Sequence, residues 1–261
     1  MANRFQRLEL DGAKPAEQPG DAPRPDAPVS IQPEIHGSAH WMHQAAHARY
    51  KGNFEEALRL YSRAVEADRA NIPGWVGQAR MLIALEEYPE AELWAKKALE
   101  LFRDHPDLAA ARAQALCRVG DMKNAMGLCD ASISKPGQST YPWIVRGDIM
   151  IARRSTAEAH CFDMATQLNA DWTIFVDIAE TYLFYDQHAK ALTRIQQALV
   201  KAPDQAYCWY LQGICQLASG MTDAGRKSLR HCLDLEPRHP AALRAMSAPP
   251  KEGWLKRFWK A

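Results

Sequence analysis

The stretch "GNFEEALRLYSRAVEAD" at residues 52–68 decides the fold. Within it Phe54, Ala57, Leu58, Tyr61, Ala64 and Val65 recur every three or four residues, which places them in one apolar stripe along a helix. Ala57 and Ala64 are small enough to let a second helix approach closely, and Tyr61 fills the space between them. Gly52 and Asn53 supply the turn from a preceding helix. The segment therefore reads as the second half of a two-helix unit. Such a unit buries its stripe only against further copies of itself, so the next question is what recurs.

Trp41 and Trp75 lie 34 residues apart, and Ala57 with Ala91 and Ala64 with Ala98 keep the same step. Another step of 34 reaches Ala109, Ala125 and Ser132, and the next reaches Trp143 followed by "GDIMIARRSTAEAHCFDMATQL". The fifth unit matches at Phe175, Ala179, Tyr182, Ala191, Ala198 and Pro203, and the sixth at Trp209, Gly213, Leu229, Cys232 and Pro237. The turn signal returns at Gly120-Asp121 and at Ser219-Gly220. Trp143 and Phe175 are only 32 residues apart, so the fourth unit is about two residues short. Either Ala159 or Glu158 takes the small position of its second helix.

A 34-residue helix-turn-helix with an aromatic residue early in its first helix, small residues at three fixed places and a closing proline resembles the tetratricopeptide repeat. The resemblance implies an all-α, right-handed α-superhelical solenoid of about six repeats over residues 38–239. The family's usual leucine-glycine pair is replaced here by Gln44-Ala45, Gln78-Ala79 and Arg112-Ala113, with glycine at Gly147 and Gly213. Alanine still permits close packing. The resemblance further implies that the first helices line a concave groove that holds an extended peptide or a partner helix.

Carried over by repeat position, the groove residues are Ala46, Arg80, Gln114, Asp148, Glu180 and Ile214, flanked by Arg49, Tyr50, Arg118, Asp177, Tyr207, Tyr210 and Leu217. Such a groove is basic near its N-terminal end, acidic in the middle and aromatic-apolar at the end. That order would orient a ligand electrostatically and anchor it by hydrophobic burial. The family's carboxylate clamp, which holds acidic C-terminal peptides of chaperones, needs a lysine and an asparagine where this chain has Met42 and Ala46. Val76 and Arg80 in the next unit do not rebuild it.

Composition bounds the rest. Hydrophobic residues make up 47% of the 261, enough for a continuous core, and 32 Lys plus Arg against 31 Asp plus Glu leave a formal charge of +1. That balance lacks the basic excess that nucleic acid favours. The N-terminus carries no apolar run long enough for a secretory signal, and no later run has the length of a spanning helix, so the expectation is a soluble, cytoplasmic chain. Cys117, Cys129, Cys161, Cys208, Cys215 and Cys232 form no C-x-x-C pair and read as reduced, buried thiols.

The chain has no G-x-S-x-G elbow, Walker loop, H-E-x-x-H pair or dinucleotide glycine fingerprint, so the expectation is a non-enzymatic protein without cofactor. His40, His43 and His47 share roughly one helical face, with His36 just upstream. They lack an obvious carboxylate or thiolate beside them and their positions build the first repeat, so no metal is expected there.

Two tails flank the array. Residues 1–37 read as a disordered tail: residues 11–37 are rich in proline, alanine and acidic residues, and Phe5, Leu8 and Leu10 ahead of them form a short docking motif. Residues 240–261 read as a cap followed by "KEGWLKRFWKA", where Trp254 with Phe258 and Leu255 with Trp259 are spaced i, i+4. That basic aromatic face has three destinations: the last repeat, a partner protein, or weakly an anionic membrane surface. The function expected is a scaffold or adaptor that binds protein through its groove. The alternative is an assembly factor recruited to membrane surfaces by this C-terminal helix.

Overall fold

The computed structural model describes residues 37–135 and 139–247, and the tail motifs at Phe5, Leu8, Leu10, Trp254, Leu255, Phe258 and Trp259 lie outside them. Among the described residues there are 13 helices and no strand. They pair in chain order: α1 (Ser38–Arg49) with α2 (Phe54–Ala67), α3 (Ile72–Ala84) with α4 (Tyr88–Leu101), and α5 (Pro106–Val119) with α6 (Met122–Ile133). The second half continues with α7 (Thr140–Ala152) and α8 (Glu158–Leu168), α9 (Trp172–Phe184) and α10 (His188–Lys201), then α11 (Ala206–Ala218) and α12 (Thr222–Leu235). A single helix, α13 (Pro240–Ser247), packs on the last pair. The protein is a helical-repeat solenoid.

Local chemistry sets the helix ends. The side chains of Asn53, Asn71, Asp121, Ser139 and Asp171 accept hydrogen bonds from backbone N–H groups in the first turns of α2, α3, α6, α7 and α9. Proline in the first turn of α3, α4 and α5 forfeits only a donor that has no helical partner. Each turn inside a repeat ends on a left-handed residue: Gly52, Glu86, Gly120, Arg154, Asp186 and Gly220, with φ from +57° to +91°. There the N–H of the left-handed residue bonds three residues back and the next N–H bonds five back, as in Gly120 to Cys117 and Asp121 to Leu116.

These turns place the deletion of the fourth repeat. Arg154 and Asp186 are 32 residues apart while the other successive turn residues are 34 apart. Helix α8 is correspondingly short, 11 residues against 14 in α2, α4, α10 and α12. Glu158 is buried and Ala159 is exposed, so Glu158 takes the small position of this helix. Its carboxylate is held by Lys190 Nζ at 2.6 Å. Opposite it in the same repeat, a Cβ added to Gly147 would lie 2.2 Å from the buried Phe162 ring, so this contact requires glycine.

The small positions bury fully where the sequence pattern placed them: Ala57, Ala64, Ala91, Ala98, Ala125, Ala191 and Ala198 are inaccessible. All six cysteines are buried and unpaired. Burial pushes the thiols of Cys117, Cys129, Cys208, Cys215 and Cys232 up to about 12, which keeps them protonated and unreactive at neutral pH.

The superhelix curls far enough for its first repeat to meet its fifth and sixth. Tyr50, at the end of α1, packs against Trp172 at the start of α9 with ring centroids 4.7 Å apart. The backbone at Gly52 approaches Tyr207 of α11 so closely that a Cβ would sit 3.2 Å from its ring. Lys51 pairs with Glu236 after α12 at 2.6 Å.

Candidate binding cleft

The closure brings together the residues assigned by repeat position to the groove. Arg49 Nη2 on α1 lies 2.5 Å from Asp177 Oδ1 and 3.2 Å from Glu180 Oε2, both on α9. Arg80 Nη2 on α3 lies 2.6 Å from the other oxygen of Asp177. Tyr207 on α11 donates its hydroxyl to Glu180 Oε1 at 2.9 Å. The basic end and acidic middle expected to orient a ligand therefore neutralise each other within one chain.

A second knot centres on Asp148 of α7, which is inaccessible to solvent. One carboxylate oxygen accepts from Arg118 Nη2 at 2.7 Å and Gln114 Nε2 at 2.8 Å, and the other from the Tyr185 hydroxyl at 2.6 Å. Gln114 in turn accepts from the Tyr141 hydroxyl at 2.7 Å. The Arg118 guanidinium stacks on Phe184, 3.4 Å from the ring centroid.

Of the remaining groove residues, Tyr210 and Ile214 are buried in the core, with the rings of Tyr207, Tyr210 and His239 grouped in one stacked cluster. Tyr50 is partly buried and accepts from Arg49 at 3.1 Å. Buried in this way, Asp148, Tyr210 and Ile214 present almost no surface to a ligand.

Burial sets the electrostatics. It pushes the Asp177 carboxyl up, but Arg49 and Arg80 on its two oxygens outweigh that and hold it below the usual carboxylate range. Glu180 comes out raised, because burial and the neighbouring Asp177 charge exceed the help from Arg49. Burial likewise pushes the Tyr88 hydroxyl up to about 12.

What stays open is a cleft of about 90 Å³ on this face. Its walls include Arg49, Arg80, Gln114 and Arg118, the carboxylates of Asp177 and Glu180, the rings of Tyr88, Tyr141 and Phe184, and apolar Met81, Ile83, Ile144 and Leu183. Phe54, Glu86, Tyr88, Arg118 and Phe184 each lie at or within two residues of a left-handed turn position. The cleft therefore borders several of the turns inside the repeats.

Several of these residues escaped the sequence reading although a signal existed. Phe184 occupies the repeat position of Tyr50 and Arg118, and Tyr141 that of Tyr207, once the short fourth unit is allowed for. Trp172 and Glu236 carry no such signal, because their partners are Tyr50 and Lys51, more than a hundred residues away. His40, His43 and His47 join no group of three metal-ligating side chains among the described residues, and His36 lies outside these.

Among the described residues, an all-α array of helix pairs stepping about every 34 residues, with small residues at the pair contacts, defines a helical-repeat solenoid. More narrowly, residues 48–115 match the family described as Tetratricopeptide repeat, so this part of the chain is similar to that family. No curated protein matches the sequence. Among solved structures, a thermophilic TPR protein of Thermus thermophilus is similar at 16% identity and a TM-score of 0.50, over 80% of this chain and all of that one. A tetratricopeptide repeat protein from Parabacteroides merdae is similar at 17% identity and a TM-score of 0.49, over 81% of this chain and 84% of its own. YrrB, a TPR protein with an unusual peptide-binding site, is similar at 16% and 0.42, over 72% of this chain and 98% of its own. At these identities the likeness is one of fold. No helix among the described residues is long and apolar enough to cross a membrane.

Proposed function

We propose that this chain is a protein-interaction scaffold that holds a partner segment on the turn edge of the array, at the mouth of the cleft. Proteins of this family are generally non-catalytic scaffolds that bind other proteins. One observation carries the finer reading. The charges of Arg49, Arg80, Asp177 and Glu180 are engaged with each other, while apolar Phe184 in the cleft wall remains 36% exposed and Val119, next to Arg118 in the chain, 54%. Val119 directly follows Arg118 in α5, and the Arg118 guanidinium stacks on Phe184. Exposed apolar side chains suit a partner that presents its own apolar residue to them.

The variant Val119→Asp tests this without touching the buried network. Partners co-purifying with the tagged full chain should bind about tenfold more weakly, a loss near 1.4 kcal/mol. Helical content by circular dichroism should stay unchanged. Recovery of the same partners at the same yield would move the binding surface elsewhere on the molecule.

A further inference from the structure

The hydrogen bonding around the cleft is unbalanced. Arg49 and Arg118 have side chains only 6% and 5% exposed, and both line the cleft. Each gives a terminal nitrogen to carboxylate, yet Arg49 Nε, Arg118 Nε and Arg118 Nη1 are buried without an acceptor. Buried polar groups in native proteins are nearly always paired, so three unpaired guanidinium nitrogens around one cavity need an explanation. The ring of Phe184 covers the flat face of Arg118 and offers no acceptor to the N–H groups of its Nε and Nη1.

The cavity has room for an answer. At roughly 10–15 Å³ of such volume per water, its 90 Å³ corresponds to about six to nine non-hydrogen atoms. Besides the guanidinium donors and the carboxylates, the lining is largely apolar: Met81, Ile83, Ile144 and Leu183 and the rings of Tyr88 and Tyr141. Glu86 at the rim and the carboxylates already inside oppose a multiply charged anion. Burial raises the Glu180 carboxyl, which lessens the opposition at that side.

We infer that the cleft binds a small organic acid, a single carboxylate joined to a compact hydrophobic body. The carboxylate accepts from the unpaired edges of Arg118 and Arg49, and the body lies against Met81, Ile144 and the tyrosine rings. Phe184, partly exposed over Arg118, is the side chain that an entering ligand displaces. A bound acid joins α1 to α5, so it stabilises the closed superhelix by mass action. The inference goes beyond the scaffold reading and is independent of it, because it rests on buried donors rather than on the exposed edge.

The test uses the full chain with benzoate, its uncharged isostere benzamide, and inorganic phosphate, by isothermal titration and thermal unfolding. Benzoate should saturate one site per chain in the millimolar range and raise the melting temperature with concentration. Benzamide should bind about tenfold more weakly or worse, since it brings no charge to the guanidinium edges. Phosphate should bind negligibly. Ala84→Phe fills the cleft without altering a charge and should abolish benzoate binding while circular dichroism stays unchanged. Arg118→Gln should do the same, and if that variant does not fold, Ala84→Phe decides. Equal effects of benzoate and benzamide, tighter binding of phosphate, no saturation by benzoate, or benzoate binding undiminished in a folded Ala84→Phe would each overturn the inference.

Discussion

Replacing Asp177 by alanine lowers the unfolding free energy of the full chain by about 3 kcal/mol, read by urea denaturation at neutral pH. The carboxylate receives Arg49 from α1 and Arg80 from α3, so its removal leaves two guanidinium groups without their main partner. Arg49 keeps Glu180 at 3.2 Å and the Arg80 side chain is 24% exposed, which places the loss at the low end of the range for broken buried pairs. Because the contact joins the first two repeats to the fifth, the variant should also show a larger radius of gyration by solution scattering. Arg49→Ala combined with Asp177→Ala should cost less than the sum of the two single changes, since both remove the same contact. Strict additivity would show that this pair does not couple the first repeat to the fifth.

The same carboxylate predicts an acid limb. Asp177 is held below its ordinary value in the folded chain, so on acidification the unfolded chain takes up the proton first. Its contribution is complete above the unfolded value, near 4, and is lost as pH falls through the lower folded value. Glu180 has the opposite sign: its raised value means that its contribution is fullest in acid and declines as pH rises through the folded value. The steep acid limb of wild type should therefore flatten in Asp177→Ala when stability is followed by circular dichroism. Identical pH slopes would assign that limb to other carboxylates.

Asp148→Lys has the larger effect, above about 4 kcal/mol, and should abolish cooperative folding of the middle repeats. The position is fully buried, and the new ammonium would face Arg118, which now donates to Asp148 at 2.7 Å. Gln114 and Tyr185 would lose their shared acceptor as well. Asp148→Asn keeps the size and one oxygen, and should cost about 2 kcal/mol while retaining a sharp urea transition. A soluble, fully helical Asp148→Lys protein would contradict the buried geometry. The consequence for binding experiments is direct: partner loss in Asp148→Lys reports on folding, whereas partner loss in Val119→Asp reports on the surface.

Much of the architecture is readable from local chemistry. The stripe from Phe54 to Val65 and the 34-residue step of small residues define helix pairs because alanine spacing and helical period act over a few residues. The turns were only half legible. Gly52, Gly120 and Gly220 announce a left-handed conformation, whereas Glu86, Arg154 and Asp186 adopt it without the residue that normally marks it. In the fourth repeat, Glu158 holds a position where every neighbouring repeat has alanine or glycine. Its place depends on Lys190 of the next repeat, which no local pattern reveals.

Residue order therefore settles the repeat, its length, the faces that pack and the succession of charges along the first helices. Where those charges go is a property of the assembled superhelix. Its curvature accumulates from small rotations at each repeat, and only after five or six of them do Arg49 and Arg80 arrive beside Asp177. Repeat position could pick out Arg49, Arg80, Asp177 and Glu180. It could not say whether their partners would come from another protein or from this one, because a contact across 128 residues is set by the sum of all the packing between them.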